Sequence, residues 1–224
     1  MSIFYHSFVN LLFIGIIALF PVVNPIGSAF IVSPYFATLT SPEKKLAVRK
    51  ITLYAFLICT VSLFAGHWIL ELFGISIPVI QLAGGIMICK MGWELLSSNK
   101  KDSSTAKDNM NELSGLSAIQ DKLFYPITFP VTTGAGTISV LFTLSAHSAS
   151  EDTSTYITNT AAILISIIIM CALVYIFYLN TKTIIHFLGA NGEMIVNRIS
   201  AFLIFCVGLQ IAVTGIKSLF GVSH

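Results

Sequence analysis

Two short stretches of this sequence combine proline, glycine and small polar side chains in a way that could build a binding site. Residues 20–27 (the first octet) read Phe-Pro-Val-Val-Asn-Pro-Ile-Gly, and residues 129–136 (the second octet) read Phe-Pro-Val-Thr-Thr-Gly-Ala-Gly. At a constant offset of 109 residues the octets share Phe, Pro, Val and the final Gly, and each is followed by a hydroxyl residue, Ser28 or Thr137. Both lie inside long apolar runs, where an irregular backbone needs a buried or watery setting.

Each octet should interrupt an α-helix. Proline removes a backbone hydrogen bond and clashes with the preceding turn, glycine lowers helix propensity by about 1 kcal/mol, and Pro25 disfavours the α conformation at Asn24. A helix that restarts at Ser28 or Thr137 would present free N–H groups and a positive dipole end, which suit a carboxylate. The carbonyls of residues 23–26 and 132–135 could accept from an ammonium group or coordinate a cation. The alternative is a proline-kinked helix that packs closely on glycine.

The octets therefore predict a substrate-binding site without catalytic residues or metal ligands. Neither octet contains Asp or Glu, so no carboxylate proton carrier is visible there, and neither contains Arg or Lys to fix a second anionic group. A small zwitterion fits this chemistry better than a phosphate, which usually recruits Arg. The predicted site consists of the amide, hydroxyl and turn residues of both breaks: Asn24, Pro25, Gly27, Ser28, Thr132, Thr133, Gly134, Gly136 and Thr137.

The elements that must position the octets are transmembrane helices by composition. Hydrophobic residues make up 55% and charged residues 10% of the 224-residue chain, and the mean hydropathy is +0.88, whereas globular domains carry roughly 25% charged residues. A spanning helix needs about 20 apolar residues, and lipid forces the backbone to bond within its own segment. We expect six such helices from the uncharged runs 1–42, 51–70, 72–89, 123–150, 153–181 and 199–216.

The predicted fold is all-α: a polytopic membrane protein with six transmembrane helices in two inverted three-helix repeats, the first helix of each repeat being broken. Residues 1–97 form the first repeat, residues 98–121 a polar cytoplasmic linker and residues 122–224 the second repeat. An odd number of helices per repeat turns the second copy upside down, which is the plan of many secondary transporters. Residues 28–42 could form either a tilted helix or a re-entrant turn.

The distribution of basic residues predicts the orientation of the chain. Ten Lys and Arg residues fall in the connections after predicted helices 1, 3 and 5, against Lys217 alone on the opposite side, with Lys90 left out because it lies within the third run. The positive-inside rule places these connections in the cytoplasm and both termini outside it.

The Asn-Pro-Ile-Gly of residues 24–27 and the Pro-x-x-x-Gly-x-Gly of residues 130–136 resemble motifs of the MarC family. Its members are bacterial and archaeal integral membrane proteins of about this length, grouped with neutral amino-acid transporters. The resemblance extends over essentially the whole chain, including residues 81–85 and 198–215, and it implies a bacterial inner-membrane location. The family commonly has Gly-Pro-Gly in the second half. Here Ala135 stands in the middle, which predicts a softer second break.

Two pairs of ionisable residues could act in the membrane. Lys90 and Glu94 share a helix face near Trp93, and His67 and Glu71 share another near Trp68. Tryptophan prefers the membrane interface and lysine can extend toward it. Both pairs are therefore interpreted as interface residues, with a gate or proton relay as the alternative.

Tyrosines and cysteines within the apolar runs are further candidates. Tyr175 and Tyr178 could line a pathway or merely pack. The four cysteines lack a CxxC spacing or a nearby His pair, so we interpret them as inert buried thiols: Cys59, Cys89, Cys171 and Cys206.

These features favour a secondary transporter of small neutral amino acids such as alanine, glycine or serine, with a midplane site between the broken helices. It would need no cofactor and would be coupled to Na⁺ or H⁺. The alternative is a membrane scaffold or lipid-handling protein in which the octets only shape packing. An enzyme is not expected, because no intramembrane Ser-His-Asp set, HExxH motif or paired Asp is present. Expected partners are membrane lipids and a zwitterionic solute, and the net charge of +2 suggests no nucleic acid. Whether the chain forms a homo-oligomer stays open.

Overall fold

The computed structural model describes residues 2–97, 116–148 and 152–220, and every regular element in these ranges is helical. Before the fifth α-helix lie a 3₁₀ helix (Leu116–Lys122) and an irregular, wide-turned helical stretch (Leu123–Thr132), called the proline segment below. The all-α prediction is confirmed. The α-helices of the described ranges are α1 (Ser2–Val23), α2 (Pro25–Phe36), α3 (Ser41–Leu72), α4 (Ile77–Ser97), α5 (Ala135–Ser148), α6 (Thr153–Leu179) and α7 (Thr181–Leu219).

Local sequence explains where the two central helices, α3 and α6, begin. At the start of α3, the Glu43 carboxylate accepts the Thr40 N–H at 2.9 Å, and Pro42 lies in the first turn, where its missing N–H costs nothing. At the start of α6, the Asp152 carboxylate accepts the Thr155 N–H at 2.9 Å and its hydroxyl at 2.6 Å. These hydrogen bonds hold the pKa of Asp152 below its ordinary value.

The described part of the chain has four helices that are long and apolar enough to cross a membrane: Phe8–Phe36, Ser41–Gly66, Thr153–Leu179 and Ala201–Leu219. A bent pair, Ile119–Thr132 with Ala135–Ser145, makes a fifth if it counts as one span. These correspond to five of the six predicted segments, and the third predicted segment forms the 21-residue helix α4. The chain is therefore multi-pass, whereas six spans in two inverted repeats stay a prediction.

Several predicted connections have a different structure. Residues 28–36 continue helically as α2, within the single span Phe8–Phe36. The connection expected between the last two segments is helical as well, because α7 runs unbroken over 39 residues and contains Lys182 and Arg198. The uncharged run 199–216 corresponds only to the apolar part of the longer helix α7. Of the predicted linker, residues 98–115 lie outside the described ranges, and residues 116–121 belong to the 3₁₀ helix.

The two halves of the chain pack reciprocally. The helices α1 and α2 contact α6, while the proline segment and α5 contact α3. In the same way α4 contacts α5 and α7 contacts α2, and the pairs α3 with α6 and α4 with α7 join the halves directly. This exchange of partners is what two related halves would produce, and it brings both octets to the buried centre.

Glycine allows α4 and α7 to touch backbone to backbone. A Cβ on Gly85 would lie 2.6 Å from the Gly208 carbonyl oxygen and would also meet the Ala212 nitrogen, and a Cβ on Gly208 would lie 2.5 Å from the Cys89 nitrogen. Such approach suits a membrane interior, where lipid provides no hydrophobic drive between helices and close packing must hold them together.

Candidate functional site at the two helix breaks

The first break is a single residue, Asn24, which has a left-handed backbone conformation (φ 44°, ψ 64°) that asparagine tolerates better than most residues. Its side-chain oxygen accepts the Gly27 N–H at 3.1 Å, and its carbonyl oxygen accepts the Ser28 N–H at 2.9 Å and the Ser28 hydroxyl at 2.8 Å. The helix restarts at Pro25, not at the expected Ser28. Because Pro25 has no N–H, Asn24 satisfies much of the hydrogen-bonding capacity at this helix start.

The second break comprises Thr133 and Gly134 and is the sharper one, with a bend of 62° between the helical segments on either side. Tyr125 and Phe129 have extended backbone angles (φ −119°, ψ 124° and φ −117°, ψ 124°) because each precedes a proline. The softer break expected from Ala135 is relative to the family's Gly-Pro-Gly pattern and stays a prediction. At the break itself Thr133 departs from helical angles (φ −128°, ψ 89°), and Ala135 becomes the first residue of α5.

The breaks fall at equivalent positions of the two octets, because Asn24 and Thr133 are separated by the same 109 residues that relate the sequences. The hydrogen bonding differs, however. At the second break, the first backbone hydrogen bond of α5 runs from the Ile138 N–H to the Gly134 carbonyl, at 3.2 Å. Within the described residues, the N–H groups of residues 135–137 have no acceptor. The start of α5 is thus an open helix N-terminus.

Thr137 adds a second unsatisfied group at this helix start. Its side chain is completely buried, and its hydroxyl oxygen has no hydrogen-bond partner among the described residues. A buried hydroxyl without a partner is costly. Together with the open N–H groups, it forms a cluster of donors suited to a carboxylate.

The two breaks meet at Tyr178 of α6, which is fully buried. Its hydroxyl lies 2.7 Å from the Thr132 hydroxyl, and the Ser28 side chain of the first break lies next to it. Thr132 donates its own proton to the Ile127 carbonyl at 2.7 Å, and Ser28 donates to Asn24. Since each hydroxyl has one proton, Tyr178 must be the donor to Thr132. One side chain of α6 is therefore hydrogen-bonded to the second break and lies beside Ser28 of the first.

Sequence reasoning left Tyr178 undecided between a pathway and packing. The signal that could have singled it out is its depth in an apolar helix, because a buried tyrosine hydroxyl needs a partner. The rings of Tyr178 and Phe36 also pack in an edge-type arrangement, with 6.1 Å between ring centres.

A small cavity of about 10 Å³ lies between the breaks. Val23 of the first octet and Thr132 and Thr133 of the second line it, together with the buried thiols of Cys59 and Cys171. This volume is about what one water molecule needs, so the breaks enclose a nearly closed space.

The predicted glycines and prolines lie at packing positions. A Cβ on Gly27 would collide with the Asn24 side chain, and one on Gly136 would lie 2.9 Å from Val22 and 3.3 Å from Ile88. Pro25 and Gly134 are buried as well. The structure therefore brings Ser28 and Thr132 together at Tyr178, places Thr132 and Thr133 at the cavity, and sets Thr137 at the open helix end.

Lys44, which the sequence analysis treated only as one of many basic residues, is buried at the edge of this region. Its ammonium group donates to the Leu179 carbonyl at 2.9 Å and to the Thr181 hydroxyl at 2.7 Å, and it lies 5.7 Å from the centre of the Phe36 ring. Lys44 thus fastens the start of α3 to the junction of α6 and α7. No feature of the sequence distinguishes it from its exposed neighbour Lys45.

The other ionisable candidates lie away from the breaks. Lys90 and Glu94 form an ion pair at 3.7 Å on an exposed face of α4, beside the exposed Trp93, which agrees with their interpretation as an interface pair. Glu71 is exposed, and the side chain of His67 lies outside what the structure describes.

A chain whose described regular elements are all helical, with several apolar spans and a buried junction of two broken helices, defines a multi-pass integral membrane protein. Residues 9–220 match the MarC family of integral membrane proteins, and the chain belongs to this family. Its relatives include the inner membrane proteins MarC of Escherichia coli K12 and of Shigella flexneri. Each is 27% identical over 223 residues, which cover 94% of this chain and 96% of the relative. No solved structure matches the chain.

Proposed function

We propose that this protein is a secondary transporter of small neutral amino acids and that the solute binds between the two helix breaks. The observation that carries the proposal is the junction at Tyr178, where Ser28 of the first break and Thr132 of the second meet around one buried hydroxyl. A binding site between two broken helices from the two halves of a chain is the usual arrangement in this class of transporter.

The proposed binding mode follows from the unsatisfied groups. The solute carboxylate would bind at the start of α5, where the N–H groups of residues 135–137 and the Thr137 hydroxyl lack partners. The ammonium group would bind the oxygen atoms of Thr132 and Thr133 at the cavity. Because the octets contain no charged side chain, the site favours a solute with a small neutral side chain. Movement would be coupled to Na⁺ or H⁺.

Transport requires the breaks to separate. The cavity of about 10 Å³ holds about one water molecule, which is too little for any amino acid, so the described conformation corresponds to a closed state of the transporter. Alternating access would open the site by moving one half against the other. If the breaks never separate, the protein is a membrane scaffold whose octets only shape packing.

The proposal is tested by transport in liposomes with two matched variants. Thr137 and Thr160 are both buried threonines whose hydroxyls lack partners among the described residues, but Thr137 lies in the first turn of α5, whereas Thr160 lies in the interior of α6. Purified protein should take up labelled alanine or glycine when a Na⁺ or H⁺ gradient is imposed. Thr137→Val should reduce uptake by about tenfold, the effect of losing one hydrogen bond to a charged group, and Thr160→Val should leave it unchanged.

Two results would contradict the proposal. If neither solute moves under either gradient while the reconstituted protein stays folded, the assigned function is wrong. If both valine variants lose uptake equally, the loss does not come from the open end of α5.

A further inference from the structure

A second, larger concavity lies outside the proposed transport site, between α3 and α6. This groove, called the α3–α6 groove below, has a volume of about 400 Å³ and opens to the surface of the helix bundle. On α3 it is lined by residues 49, 52, 53 and 56, and on α6 by residues 168, 171 and 175. These spacings place each set on one helix face.

The groove is polar at one end and apolar at the other. The two helices run antiparallel, because Lys44 near the start of α3 binds the Leu179 carbonyl at the end of α6. Arg49 and Tyr175 therefore lie at the same end, and Leu53, Phe56 and Ile168 extend from it. From residue 49 to residue 56 the helix rises about 10 Å, so the groove matches the start of a lipid acyl chain attached to a headgroup.

Arg49 lies at the depth expected for a lipid phosphate. The uncharged part of α3 begins at residue 51, which places Arg49 at the boundary of the hydrocarbon core. Its side chain is exposed, and it has no ion pair or hydrogen bond with any described residue. Arginine binds phosphate oxygens through two parallel N–H groups.

Two further observations indicate an anionic occupant. The neighbouring ends of α3 and α7 carry the further cations Lys50 and Lys182. The Glu43 carboxylate near the start of α3 already accepts from Thr40 and from the Leu116 N–H. In addition, the buried Thr52 hydroxyl, which lines the groove, has no partner among the described residues.

We propose that the α3–α6 groove binds an anionic glycerophospholipid of the surrounding membrane, with the phosphate on Arg49 and an acyl chain along Leu53, Phe56 and Ile168. The positive charge of Arg49 favours an anionic headgroup, and the apolar end of the groove favours an acyl chain. Free phosphate would lack the contacts of the acyl chain. The lipid would fill the outer side of the contact between α3 and α6, one of the two helix pairs that join the halves of the protein directly. This site is independent of whether the protein transports a solute.

The experiment uses delipidated full-length protein in a mild uncharged detergent, titrated with dioleoyl phosphatidylglycerol. Native mass spectrometry counts bound lipid, and the shift in thermal unfolding reports its effect on stability. Dioleoyl phosphatidylcholine, which has the same chains and no net charge, and inorganic phosphate are the comparison ligands. We expect one phosphatidylglycerol to bind and stabilise, about tenfold more tightly than phosphatidylcholine, and inorganic phosphate to have no effect.

Arg49→Gln should weaken phosphatidylglycerol binding by about tenfold, and Thr52→Val should weaken it by a smaller factor. Lys45→Gln is the matched control, because Lys45 is an exposed cation one turn before Arg49 that does not line the groove. Equal affinity for the two lipids, or an equal effect of the Arg49 and Lys45 variants, would overturn the proposal. Stabilisation by inorganic phosphate that Arg49→Gln abolishes would also overturn it, in favour of a simple anion site.

Discussion

Replacing Tyr178 with phenylalanine removes one hydroxyl from the junction of the two breaks and keeps the ring in place. The hydroxyl lies 2.7 Å from Thr132 and is fully buried, so no water takes its place. A neutral hydrogen bond contributes about 1 kcal/mol, and those inside membrane proteins average about 0.6 kcal/mol. We expect Tyr178→Phe to lower the free energy of unfolding by about 1 kcal/mol, or roughly fivefold in the ratio of folded to unfolded protein.

Thr132→Val should cost more, about 2 kcal/mol, because it removes the acceptor of Tyr178 and also the donor to the Ile127 carbonyl. The two substitutions should not add. Once one partner is gone, removing the other breaks no further bond between them, so the double variant should lose about 1 kcal/mol less than the sum. Unfolding by sodium dodecyl sulfate in mixed micelles, followed by circular dichroism, measures all four free energies of the cycle.

Tyr175→Phe is the control for this cycle. Tyr175 lies one turn before Tyr178 on α6, lines the α3–α6 groove and has no hydrogen bond with a described residue, so its loss should change stability by less than about 0.5 kcal/mol. Additive effects of the Tyr178 and Thr132 substitutions, within about 0.5 kcal/mol, would refute the hydrogen bond between Tyr178 and the second break. An equal loss in Tyr175→Phe would refute it as well.

Three further predictions concern helix packing, Lys44 and orientation. Gly85→Leu should destabilise the protein by about 3 kcal/mol, because a Cβ there meets the backbone of α7. The control Ala83→Leu, on the exposed face of α4, should be neutral. Equal effects in the same unfolding assay would disprove the backbone contact. Lys44→Met should lower the free energy of unfolding by about 2 kcal/mol, because it leaves the Leu179 carbonyl without its donor. Lys45→Met should lower it little. The reverse order would contradict the assigned role of Lys44. In a background without native cysteines, an impermeant maleimide on intact cells should label a cysteine at Ser154 but not one at Lys45, and the opposite pattern would invert the predicted topology.

The helix breaks could be predicted from the sequence because their causes are local. Proline and glycine act on the residues beside them, so the octets marked breaks that the structure places at Asn24 and Thr133. The 62° bend at the second break could not be predicted, because proline and glycine indicate that a helix is interrupted but not the angle at which it continues. The same reasoning missed the length of α7, since hydropathy marks the apolar part of a helix and not its ends.

Contacts between residues that are far apart in the chain could not be predicted from the sequence. Tyr178 meets Thr132 across 46 residues, and Lys44 meets Thr181 across 137. One sequence taken alone carries no information on which distant residues pair. The different hydrogen bonding of the two breaks could not be predicted either, because the octets are similar in sequence. In the structure the Asn24 side chain caps the start of α2, whereas the start of α5 has no such cap.

The central claim is that the two breaks form a site that opens to water and binds a small neutral amino acid. A cysteine at Thr137, in a background without native cysteines, tests this most directly, because the side chain at this position is completely buried in the closed conformation. In proteoliposomes, a small water-soluble methanethiosulfonate should modify this cysteine slowly, and added alanine should slow the reaction further, while a cysteine at the equally unpartnered Thr160 should stay unmodified. Absence of modification at position 137 over hours, or a rate that alanine does not change, would contradict the claim and leave the breaks as packing features.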